Sequence, residues 1–138
     1  MRFRNLALLL LGVSQALFAA PSKDPLACRL DALTETQRER QQLLAGRLKR
    51  AVVGRAELPD GYALTLDLSR LPADGHGLPF CVVEVAEWVD LESRCCPFLD
   101  FGIDVRGKGG TVGLRLTGPE NVKPFLEEEF GLTRTGAR

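Results

Sequence analysis

Apolar and polar positions along this chain fall into stretches of two different periods. From Thr34 onward, Leu44, Leu48 and Val52 recur at helical intervals, and Thr34 with Gln37 has the spacing of a capping box. The spacing predicts a helix that starts near Thr34 and is closed by Gly54 and the Pro59-Asp60-Gly61 turn. Tyr62 to Leu68 then alternates: Tyr62, Leu64, Leu66 and Leu68 face one way, Ala63, Thr65 and Asp67 the other. That is a strand with one buried face. A loop containing Pro72, Asp74-Gly75 and Gly77 leads to a second helix, Cys81 to Cys95, stopped by Pro97. Alternation returns at Phe101, Ile103 and Val105, and again at Val112, Leu114 and Leu116, with Gly107 to Gly110 as the turn between them. Thr117-Gly118-Pro119 opens a last helix through Phe125, Leu126 and Phe130, with Pro124 early enough to delay or kink it.

The order is therefore α-β-α-β-β-α. Each strand has one apolar face, so the expected fold is α+β: a three-stranded antiparallel or mixed sheet with helices packed on one side. The other face, carrying Thr65, Asp67, Asp104, Arg106 and Arg115, is expected to stay open.

The N-terminus changes where this domain is expected to work. Arg2 and Arg4 precede a short apolar run from Leu6 to Val13, and small residues follow. This is the layout of a secretory signal, read here as residues 1–20, with residues 21–138 as one mature α+β domain. The apolar run is well short of the roughly 20 residues of a membrane span, so no stable span is expected in the mature chain. An exported protein, periplasmic or secreted, is the expectation. Without Arg2 and Arg4 the chain carries 16 basic and 18 acidic side chains, a net charge of −2. Nothing in the sequence resembles the basic stripe required for phosphate neutralisation, and nucleic acid is not an expected partner.

The candidate chemistry lies in four cysteines. In an exported chain they first suggest two disulfides. One of the three possible pairings joins Cys95 to Cys96, whose Cα atoms are about 3.8 Å apart, below the usual disulfide range. The other two need Cys81 to reach Cys95 or Cys96 from the far end of a helix about 20 Å long. At most one conventional bridge survives, from Cys28 to one of the others.

On the second helix Val82, Val85, Ala86, Val89 and Cys96 share an apolar arc, flanked by Trp88 and Cys95, and Glu92 falls inside it. A buried carboxylate needs a partner. Glu92 stands three and four residues before Cys95 and Cys96, so the three converge, and Cys28 joins them from the N-terminal arm. Thiolates favour soft ions, so Cys28, Glu92, Cys95 and Cys96 form the candidate ligand set for a thiophilic metal or metalloid. The alternative is a non-catalytic structural or protein-interaction module whose cysteines are core or disulfide residues.

A thiol redox protein is the third reading. The C-terminal end of a helix disfavours the thiolate that it needs, and Arg94 offsets this only in part. His76, the sole histidine, falls in a Gly-rich loop. No serine nucleophile elbow or phosphate-cradling loop appears, and enzyme activity has little support.

The segments Leu91-Glu92-Ser93-Arg94-Cys95-Cys96-Pro97-Phe98-Leu99 and Leu114-Arg115-Leu116-Thr117-Gly118-Pro119, with Leu58-Pro59-Asp60-Gly61-Tyr62 and the surroundings of Cys28, carry a resemblance. They are similar to a group of short bacterial proteins that have no assigned activity and usually no signal peptide. The resemblance implies one domain and draws attention to Cys28, Glu92, Cys95 and Cys96. Cys81 and Pro124 depart from the group's pattern.

Overall fold

The computed structural model describes residues 26–71, 81–106 and 110–132. Residues 1–20, read above as a signal, the loop with Pro72 and His76, and most of the Gly107 to Gly110 turn lie outside the described residues. Helix α1 spans Glu35–Ala51, strands β1 and β2 span Val52–Leu58 and Gly61–Asp67, and helix α2 spans Val82–Cys95. Strands β3 and β4 span Asp100–Val105 and Thr111–Thr117, and helix α3 spans Val122–Phe130. The fold is α+β, and its sheet is antiparallel throughout in the order β1-β2-β4-β3. Two α-β-β halves, α1-β1-β2 and α2-β3-β4, thus meet at the central β2–β4 pair, and α3 follows.

The sheet has four strands where the sequence predicts three. Val52–Leu58, expected to finish the first helix and turn, is edge strand β1. It does not alternate in burial because its helix-side positions are polar. Glu57 pairs with Lys123 at 2.8 Å. Arg55 donates to the Leu132 carbonyl beyond α3 and lies over the Tyr62 ring. These side chains take positions where an inner strand would carry leucine. The remaining expectations for α1 hold: Thr34 and Gln37 form the capping box, and Leu44, Leu48 and Ala51 are buried.

Leu58 pairs with Gly61 across a two-residue turn. Only glycine fits at 61, because an added Cβ would run into the Leu116 carbonyl of β4. From Gly61, β2 pairs with β4 over seven residues, from Gly61↔Thr117 to Asp67↔Thr111. Tyr62, Leu64 and Leu66 of β2 and Val112, Leu114 and Leu116 of β4 fill the core on the helix side. On the other face Thr65, Asp104 and Arg115 are exposed and Asp67 is half-buried, as the alternation requires. Arg106, just past the end of β3, is exposed as well.

Helix α3 begins at Val122, which leaves Pro124 in its first turn, where its missing N–H costs little. It packs over β2, and the Glu127 carboxylate hydrogen-bonds the Tyr62 hydroxyl. Helices α1 and α2 lie antiparallel along a polar seam. Gln41 meets Glu92, Arg40 meets Glu87 at 2.7 Å, and Arg47 approaches Glu84 at 3.7 Å. No helix among the described residues is long and apolar enough to cross a membrane.

Candidate thiol site

Helix α2 runs unbroken from Val82 to Cys95, with Cys81 as its N-cap and Cys96 as its C-cap. This keeps Cys81 at the far end from the other thiols. The single bridge among the described cysteines joins Cys28 to Cys96, with Cα atoms 4.6 Å apart. It belongs to the class that the helix-length argument leaves open. Cys81 is an exposed free thiol and Cys95 a buried one.

The arm before α1 is held in two ways. The disulfide ties residue 28 to the end of α2. The Arg29 N–H donates to the Cys95 carbonyl at 2.6 Å, satisfying one of the acceptors that every helix C-terminus leaves open. A one-turn 3-10 helix, Leu30–Ala32, then carries the chain to α1. The result is a triangle of sulfurs: Sγ atoms of Cys28, Cys95 and Cys96 all lie within 4.8 Å of one another. Cys95 and Cys96 are buried and Cys28 is half-buried.

Beside the triangle opens a cleft of about 500 Å³ whose lining includes Cys28, Cys95, Gln41, Glu92, Glu128 and Glu129. Glu92 is 2 % exposed, as its position in the helical pattern requires. Its carboxylate takes a hydrogen bond from Gln41 Nε2 at 2.5 Å, so its partner is a neutral amide from α1. Burial pushes the Glu92 carboxyl upward, Gln41 opposes the shift, and Glu129 adds to it while Lys49 opposes it. The Cys95 thiol is raised too, first by burial and then by the negative charges of Glu92, Glu129 and Asp31. Arg94 is engaged elsewhere, by Asp90 at 2.7 Å. Cys95 thus sits beside a disulfide, where burial and nearby carboxylates both oppose its thiolate form.

The buried side of α2 differs from the predicted arc. Val85, Trp88, Leu91, Glu92 and Cys95 are buried, whereas Ala86 is exposed. The face is turned toward Trp88, which sits edge-on to Phe101 of β3 and Phe130 of α3. Gln41, Glu128 and Glu129 were not identified from the sequence. They belong to exposed-looking stretches of other helices, and only tertiary packing brings them to the cleft.

Two expected results arise here. Thiol labelling of the native, oxidised protein should modify Cys81 readily and Cys95 only on unfolding, as peptide mapping by mass would register. Two conventional bridges in that map would refute the arrangement. The second concerns Glu92. A carboxyl raised on folding binds its proton more tightly in the native state, so its contribution is full below the unfolded value and is lost as pH rises through the folded one. Glu92→Gln should therefore gain stability relative to the parent at neutral pH, and the gain should vanish in acid. Urea unfolding at several pH values measures it.

No protein family model, curated protein or solved structure matches the chain.

Proposed function

We propose that this is an exported domain that binds a soft metal or metalloid ion through Cys28, Cys95 and Cys96 once the Cys28–Cys96 bridge is reduced. The convergence of three sulfurs beside an open cleft carries this reading. Sulfur donors select thiophilic ions over hard ones. The arm that brings Cys28 to the end of α2 makes a site from residues 68 positions apart in sequence. Glu92 lies in the wall of the adjoining cleft, buried and hydrogen-bonded to Gln41. Export is proposed from the leader-like residues 1–20, and a bridged Cys28–Cys96 pair is what an oxidising compartment favours.

The test is a titration of fully reduced protein with zinc, copper(I) and arsenite, against a variant in which all four cysteines are serine. Binding above that control supports the proposal, with Cys95→Ser weaker than the parent. Binding no better than the control refutes it.

The disulfide favours a second reading, a structural module in which the bridge staples the N-terminal arm to α2. Under that reading the reduced protein binds no ion and loses only stability.

A further inference from the structure

The donor set narrows the kind of ion, a step that rests on the soft-ion reading above. Three sulfurs converge, and no fourth Cys, His, Asp or Glu ligand atom joins them within 4.8 Å among the described residues. Zinc in closed protein sites takes four ligands, so here it would need water to complete its shell. Trivalent arsenic takes three sulfurs and fills the remaining direction with its own lone pair. For such an ion the triangle is already complete.

Charge points the same way. Three thiolates give a complex of −2 with copper(I), −1 with a divalent ion and zero with arsenic(III). The site lies at the C-terminal end of α2, where the helix dipole is negative, and Glu92, Glu128 and Glu129 line its cleft. An uncompensated negative complex in a largely buried place facing carboxylates is costly, and a neutral one avoids that cost. The cleft is also wide enough to admit a small uncharged hydroxide.

We infer that the reduced Cys28, Cys95 and Cys96 triangle takes up a trivalent metalloid, arsenic(III) as the type, delivered as its neutral trihydroxide. The chemistry balances in two steps. A dithiol reductant gives two electrons and two protons to the Cys28–Cys96 bond and leaves as its own disulfide. Three thiols then meet As(OH)₃. Three As–S bonds form while three As–O bonds break, each thiol proton leaves with a hydroxide as water, and arsenic keeps its oxidation state.

The experiment uses the full chain, reduced with a phosphine, freed of reductant and kept from oxygen. Arsenite, zinc and copper(I) are added separately, and native mass spectrometry, free-thiol counts and melting curves are recorded. One arsenic per chain should bind, three thiols should disappear from the count, and Cys81 should remain reactive. Arsenic X-ray absorption should show sulfur neighbours and no oxygen. Cys95→Ser decides the matter because it can still form the Cys28–Cys96 bridge and fold. It should need at least tenfold more arsenite, while Cys81→Ser should behave as the parent. At the same concentration arsenite should also raise the melting temperature of the reduced parent by more than that of Cys95→Ser, since a tighter ligand of the native state stabilises it more.

Equal arsenite binding by Cys95→Ser, an oxygen neighbour on bound arsenic, or no thermal shift in the reduced parent overturns the inference. Zinc or copper(I) held by the three thiols without arsenite uptake overturns it and leaves the soft-ion reading standing. Failure of all three ions removes both.

Discussion

Reduction of the Cys28–Cys96 bridge is expected to lower the unfolding free energy by about 4 kcal/mol. The bridge closes a loop with a sequence separation of 68 residues. Chain-entropy arithmetic for a loop of that size gives roughly 4 kcal/mol at room temperature. That is a large share of the 5–15 kcal/mol by which a typical domain is stable. Urea unfolding with and without reductant measures it directly. A loss under about 1 kcal/mol would mean that the arm is held mainly by its other contacts, such as the Arg29 to Cys95 hydrogen bond, and not by the closed loop.

Trp88→Ala is expected to cost about 3–5 kcal/mol, the range for deleting a buried large aromatic. Trp88 is 1 % exposed, with ring centroids 5.9 Å from Phe101 and 5.6 Å from Phe130. It therefore joins α2 to both β3 and α3. Its indole N–H is buried without an acceptor among the described residues. Trp88→Phe keeps an aromatic ring and removes that orphan donor, so it should cost less than Trp88→Ala. Trp88 is the sole tryptophan, so circular dichroism, not intrinsic fluorescence, is the probe for both variants. Similar losses in the two would show that the volume of the indole outweighs its unpaired N–H.

These two sites show what the sequence could and could not reveal. Alternation in Tyr62–Leu66 and Val112–Leu116 made the inner strands readable, because each buries one face against the helices. Strand β1 was unreadable by the same rule. At the sheet edge Glu57 finds a polar partner on α3 and Arg55 one just beyond it, so its helix side carries no apolar repeat. Glu92 stood out because a carboxylate interrupted an apolar arc, and the structure buries it. The arc itself was misjudged by a rotation toward Trp88 and Leu91, since Phe101 and Phe130, distant in sequence, decide which side of α2 is covered. Among the cysteines, helix length together with the close spacing of adjacent Cys95 and Cys96 removed the two-bridge schemes. The choice of Cys96 over Cys95 as the partner of Cys28 depends on where the N-terminal arm crosses the end of α2, and local sequence carries no signal for that.

The arrangement of strands has a consequence for how copies of the chain keep apart. Each α-β-β half presents its inner strand to the other along the seven-residue β2–β4 register. Nothing in that ladder distinguishes a half from the same chain from a half offered by a second molecule, because both bring the same residues in the same order. The Cys28–Cys96 bond does distinguish them, since residue 28 precedes the first half and residue 96 closes the helix of the second. Once formed within a chain, it records which two halves folded together. Trading of halves between molecules then belongs to the reduced state, and oxidation works as a latch that fixes the partnership in place at that moment.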